Sequence, residues 1–230
     1  MVAVESVKWM VEQSAGNALF LEELIRAATD GQPKEQPETV IAMLQARIGH
    51  LDGQIRHAVL AAAIFGQTFW NAGVAIILGI PEQALAVDAW LSDAAEAELI
   101  EVHRCSRFAE EREYGFRHGL VRDAAYSLLS DSDRKLGHRR AAEYLASRTE
   151  QQISYALLGY HYREAELFDK ALRYYRKAGD EAAKQMLYEE ATLHYQRAEE
   201  ALRRLPRAMM LQRDLADLLL NQVQCSFTSA

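Results

Sequence analysis

Cysteine is nearly missing from this sequence. Cys105 and Cys225 are its only two thiols, too far apart for a metal motif or a disulfide framework. Such sparing use suits a reducing compartment, and a cytoplasmic location is expected. Proline occurs four times and glycine twelve times in 230 residues, which leaves room for long helices and short connections. No apolar run comes near the roughly 20 residues a bilayer span needs. The longest, around Ala58–Phe65, suits a buried helix, and no membrane partner is expected. The first twelve residues carry Glu5, Lys8 and Glu12, so they do not read as a secretory signal. Positive charge is not in excess either: the formal net charge is −7, which argues against a general binder of nucleic acid or acidic lipid.

The familiar catalytic motifs are also missing. There is no G-x4-G-K-[S/T] phosphate loop, no G-x-G-x-x-G after a strand, no G-x-S-x-G elbow and no H-E-x-x-H pair. Seven histidines are scattered, and His103-x-Cys105 falls short of the four clustered ligands of a tetrahedral site. Neither catalytic nor metal-ligating residues are assigned, and the chain by itself is not expected to be an enzyme.

What is present is helical periodicity. Helices are expected over residues 2–11, at Ala18–Thr29, from Pro37 through Ile48, at Asp52–Phe65, at Phe69–Leu78 and from Pro81 to about Asp93. The pattern then alternates, at Leu99–Arg104 and again at Glu113–Arg117, with a polar stretch between; this predicts one β-hairpin. Three helices followed by a hairpin is the order of a winged-helix domain. The segment that would enter a DNA groove, Pro81–Leu99, carries Glu82, Asp88, Asp93, Glu96 and Glu98 but no Lys or Arg. Such a surface repels phosphate, so DNA is not an expected partner. Helices at Leu120–Leu129 and from Asp131 or Ser132 to about Arg148 follow.

From Tyr155 the chain becomes repeat-like. Tyr155-x2-Leu158-Gly159-x2-Tyr162, followed by Ala171, Tyr175 and Ala178, fits the tetratricopeptide consensus, with Tyr in place of Trp. Phe168, Ala171, Tyr175 and Ala178 return twenty residues later as Tyr188, Ala191, Tyr195 and Ala198. Any pair of packed antiparallel helices can use Ala and Tyr this way, so both readings stand. Three repeats are usually needed for a stable array. Both ends also read as interrupted helices, at residues 2–11 and 211–223, so the chain is expected to be a fragment of a longer protein.

Several stretches, in order, resemble bacterial STAND-class ATPases. Gly16-Asn17-Ala18-Leu19-Phe20-Leu21-Glu22-Glu23-Leu24 is similar to G-N-P-L-F-L-E-E-L, with Ala18 where that family has proline. Arg47-Ile48-x2-Leu51 is similar to R-L-x2-L, and Ala62-Ala63-Ile64-Phe65-Gly66-x2-Phe69 to A-A-V-x-G-x-x-F. The segment from Phe116 to Tyr126 is very close to F-R-H-A-L-V-R-D-A-A-Y, and Arg134-x-Leu136-x-His138-Arg139 resembles R-x-L-H-R with one residue more.

The resemblance implies a mainly α fold: a helical lid at 1–50, a winged-helix domain with following helices at 51–150, and truncated antiparallel tetratricopeptide-like repeats at 151–230. It implies a parent in which an ATPase core precedes the lid. Many such proteins carry a class III adenylate or guanylate cyclase in front, others a LuxR-type DNA-binding domain behind. The expected function is that of a regulatory and protein-binding fragment in signal transduction. The alternative is a free-standing helical-repeat scaffold. ATP or ADP with Mg would belong to the parent, with no cofactor in this fragment. By resemblance His118 contacts the β-phosphate of ADP, with Arg117, Gly16 and Asn17 nearby. Equally, His118 is a polar residue near a helix start and its neighbours are core. Tyr155, Tyr162, Tyr174 and Tyr195 are the expected face for an unknown protein or ligand. Leu21, Leu24 and Ile25 are expected to be exposed for want of the core, and self-association would follow.

Overall fold

The computed structural model describes residues 11, 14, 18–29, 39–148, 153–206 and 221. The terminal helices expected at 2–11 and 211–223, and the turn at Ala15–Asn17, lie outside these apart from single positions. Ten α-helices and one three-stranded antiparallel sheet make up the described residues, so the protein is mainly helical. The chain divides into two compact units. The first comprises residues 1–74 and 83–129, the second residues 75–82 and 130–230.

In the first unit, α1 (Ala18–Thr29) and α2 (Val40–Gly49) come first. Thr39 has an extended backbone and its hydroxyl accepts from the Ala42 amide, so α2 starts after Thr39 and not at Pro37. Then α3 (Gly53–Phe65) begins, with the Asp52 side chain accepting from the Gln54 amide. Seven of the last eight residues of α3, Ala58, Val59 and Ala61–Phe65, are buried.

Here the structure departs from the periodicity. Thr68–Trp70 is a strand, β1, and only from Asn71 does the chain turn helical as α4 (Asn71–Leu78). Strand pairing is the reason: Thr68, Phe69 and Trp70 lie opposite Gly115, Tyr114 and Glu113. The Asn71 side chain also accepts from the Arg112 amide at 3.1 Å, closing the ladder where the helix starts. A single 3-10 turn (Pro81–Gln83) leads into α5 (Ala84–Glu96). The expected hairpin forms as β2 (Ile100–Val102) and β3 (Glu113–Phe116), but β1 joins it, giving the sheet order β1-β3-β2. A Cβ on Gly115 in the middle strand would lie 2.6 Å from the His103 ring, which would have to shift. Phe69 packs on Tyr114 and Phe116, with ring centroids at 6.0 and 5.2 Å. The unit ends with α6 (Gly119–Ser127).

The second unit holds α7 (Asp131–Ala146), α8 (Tyr155–Glu164), α9 (Phe168–Lys184) and α10 (Tyr188–Arg203). Ser130, and not Asp131 or Ser132, caps α7; its hydroxyl accepts from the Asp133 amide. Three-residue connections turn the chain back between α8, α9 and α10, as in helical hairpins. Glycine sockets set the approach of these helices. A Cβ on Gly159 would lie 2.8 Å from the Tyr175 ring, and one on Gly179 would lie 2.5 Å from the Tyr195 ring.

Candidate functional site

Arg117 and His118 occupy the turn between β3 and α6. The Arg117 amide donates to the Leu99 carbonyl at 3.2 Å, which carries the pairing with the β2 side one residue past β3. His118 is extended, at φ −139° and ψ 143°, and stands at the N-cap of α6 without bonding the helix through its side chain. Its carbonyl accepts from the Val121 amide at 3.0 Å. The first amides of α6 therefore lack a side-chain cap, and a helix N-terminus of this kind favours negative charge. His118 is half-buried, and its Nε2 is shielded from solvent without a hydrogen-bond partner among the described residues. Val121, Ala124 and Ala125 on α6 are buried, as the packing pattern requires.

Arg117 is exposed, yet it is not a free cation. Its Nη1 lies 3.0 Å from Oε1 of Glu98. Glu98 also accepts from Arg26 of α1, and Arg26 reaches Glu22 at 3.3 Å. Hydrogen bonds from Arg26 and then from Arg117 hold the Glu98 carboxyl below the usual carboxylate range. Beside this group Arg47 of α2 donates to Glu23 at 2.5 Å and to the Ala97 carbonyl. Burial pulls the Arg47 guanidinium down, against the attraction of Glu23. Arg122 is engaged as well, with Asp123 at 2.9 Å and the Tyr126 ring 4.9 Å away.

Gly16 and Asn17, expected near His118, lie outside the described residues. Of the three apolar lid residues expected to be exposed, only Ile25 is, at 49%. Leu24 is 1% exposed, buried with Met43, and Phe20 and Leu21 pack against this pair. The reason is that α2 packs on this face, with its Met43 buried against Leu24.

The tyrosines of the second unit divide. Tyr174 lies between Tyr155 and Tyr162, with centroids 6.3 and 5.3 Å away. Lys177 stands over Tyr155 and Tyr174, and Lys170 over Tyr162. Tyr195 is not part of this group: it fills the Gly179 socket and its hydroxyl donates to Asp180 at 2.8 Å. Tyr162 and Tyr195 are 4% and 3% exposed, so they are packing residues and not a binding face. Both were singled out for the repeat pattern, and that pattern is a packing pattern. Tyr155 and Tyr174 keep partial exposure.

Two polar groups were not anticipated. His138 of α7 and His161 of α8 are fully buried, with Nδ1 atoms 2.8 Å apart. At that distance one ring must donate the proton and the other accept it. Their signal in the sequence was phase: His138 lies on the same helical face as Ala141, Ala142 and Leu145, and His161 beside Leu158 and Tyr162. The second group is Glu113 of β3. It accepts from the Trp70 indole at 3.0 Å and the Arg107 amide at 2.8 Å, and meets His103 Nδ1 at 2.9 Å. Burial pushes its carboxyl up, but the Arg107 amide, His103 and Trp70 together hold it below the ordinary range.

Among the described residues no three His, Cys, Asp or Glu side chains group so as to hold a metal ion. No described helix is long and apolar enough to cross a membrane. The chain matches no protein-family model, no curated protein and no solved structure.

Proposed function

We propose that this chain is a regulatory and protein-binding arm of a nucleotide-switched signal-transduction ATPase, and that its histidine turn reads the phosphates of bound ADP. One observation carries the reading: His118 stands at an uncapped helix N-terminus, beside Arg117, with a buried ring nitrogen that has no partner among the described residues. A strand-to-helix turn of this kind aims backbone N–H groups at an anion. The order helix, strand, two helices, two strands, with sheet order β1-β3-β2, supports a winged helix around that turn. The acidic α5 supports a winged helix that does not read DNA. The output it controls is a cyclase or transcriptional domain, and the ATP or ADP with Mg belongs to the ATPase core. In this reading the chain carries out no bond chemistry of its own, and in isolation it does not hydrolyse ATP.

The test is His118→Ala in the intact parent. One lost charge-assisted hydrogen bond is worth about 1.5–3 kcal/mol, so ADP affinity falls on the order of tenfold to a hundredfold and basal output rises. The control is exposed His57 on α3, whose alanine variant retains ADP. His138 is a poor control, since its ring is fully buried against His161. If His118→Ala leaves ADP affinity untouched and only lowers the melting temperature, the turn is a packing element. A second reading, a helical-repeat scaffold without nucleotide, then takes over. Its support is the glycine–tyrosine socket that recurs from Gly159–Tyr175 to Gly179–Tyr195.

A further inference from the structure

Glu98 follows α5 in the left-handed region, at φ +56°, where glycine is the relaxed residue. Glu166 and Met186 take the same conformation after α8 and α9, so backbone alone does not set Glu98 apart. Its side chain does. The carboxylate stands between two guanidiniums from different elements: Arg26 of α1, and Arg117, the residue before His118. Next to it in sequence, the Ala97 carbonyl accepts from Arg47 of α2, which also holds Glu23 of α1. The end of α5 is thus where α1 and α2 are tied by charge to the β3–α6 turn.

We infer that Glu98 is an internal anion that occupies Arg117, so that the Glu98 carboxylate and a phosphate at Arg117 and His118 compete for the same guanidinium. The inference rests on the reading of His118 as a phosphate contact. A phosphate approaching Arg117 meets the Glu98 carboxylate as a like charge. Either the carboxylate turns away, loosening its hold on Arg26 and on α1, or the phosphate binds more weakly. The groups are exposed enough for solvent to screen them, so the coupling is modest.

The experiment uses the full chain, with inorganic pyrophosphate as probe at constant ionic strength. Affinity is read from the NMR titration of the His118 ring, with His118→Ala fixing the assignment. Docking of α1 is read from amide hydrogen exchange over Ala18–Thr29. In the wild type, pyrophosphate is expected to bind and to speed exchange in α1. E98Q is expected to bind pyrophosphate about two- to fivefold more tightly and to exchange faster in α1 even without it. R26Q also speeds exchange in α1 but does not tighten binding, because Glu98 then serves Arg117 alone. E98G relaxes the backbone and removes the same carboxylate, so it repeats the E98Q result should the glutamine variant prove unstable. If wild type and E98Q bind pyrophosphate equally, the inference is overturned while the phosphate reading stands. If neither wild type nor E98Q shifts the His118 ring, the phosphate reading is overturned and the inference goes with it.

Discussion

The two units reach a packed interior by opposite routes. In the first, aromatic rings supply the bulk and a carboxylate supplies the pin: Phe69, Tyr114 and Phe116 stack across the sheet, and Glu113 gathers donors from β1 and from the hairpin loop. In the second, helices close by removing side chains, with Gly159 and Gly179 making room for Tyr175 and Tyr195. Polar atoms divide less cleanly, since Tyr195 of the second unit donates to Asp180, but the two fully buried tyrosines differ. Tyr114 donates to Asp88 at 2.7 Å, whereas the buried Tyr175 hydroxyl has no partner among the described residues. A short sheet needs specific bonds to fix its register, since a one-residue slip would turn each side chain to the other face. A helix carries its own backbone bonds, so shape alone can fix the approach of its neighbour.

The largest effect that would sharpen this contrast lies at Tyr175. Tyr175→Ala should cost about 3–5 kcal/mol, as for other fully buried aromatics. The loss should appear in hydrogen exchange over residues 153–206. Tyr175→Phe should be neutral or stabilise by up to about 1 kcal/mol, because it deletes an unpaired buried hydroxyl. Tyr114→Phe should instead cost about 1 kcal/mol, since it removes the donor to Asp88 Oδ1 and leaves that carboxylate to the exposed Arg112. Equal responses of the two tyrosines in chemical denaturation would break the comparison.

Next in size is Glu113. Glu113→Ala removes one acceptor shared by the Trp70 indole and the Arg107 amide and should cost about 2–3 kcal/mol, confined to the first unit. The sign of its pH dependence follows from its lowered folded pKa. The carboxylate contributes stability that is present above its unfolded value and is lost as pH falls through the folded one. Acid titration followed by tryptophan fluorescence should therefore show a step in wild type that Glu113→Ala lacks.

The histidine pair tests whether the second unit tolerates a polar contact only when both partners are kept. A double-mutant cycle on His138→Ala and His161→Ala should return a coupling of about 1 kcal/mol or more, as expected of buried groups in direct contact. Additive losses would mean that the rings only fill space. The smallest expected change is at Met186, 74% exposed at φ +60°. Met186→Gly should stabilise the second unit by up to about 1 kcal/mol, visible as a small rise in melting temperature.

Much of this was legible along the chain. Strong helical periodicity located the helices, and the alternating runs at Leu99–Arg104 and Glu113–Arg117 located β2 and β3. Thr68–Trp70 is not legible as a strand, because three residues carry too little pattern to compete with the helix that follows. The caps lie elsewhere for a similar local reason: the Thr39 and Ser130 hydroxyls each reach the amide three residues ahead. At the candidate site the sequence marked Arg117 and His118 but not the carboxylate that holds Arg117. Glu98 lies nineteen residues upstream, and no spacing rule joins a helix end to a strand end in another element.

The sequence alone determined the helical class, the position of the hairpin, and the small and aromatic residues that let α8, α9 and α10 approach. Those follow from periodicity and side-chain volume, which act over a few residues. Only the tertiary structure decided which charged and polar groups meet. Glu98 with Arg26 and Arg117, His138 with His161, and Glu113 with Trp70 each join residues far apart in the chain. Their energy depends on distance and burial, and neither exists until the elements have packed.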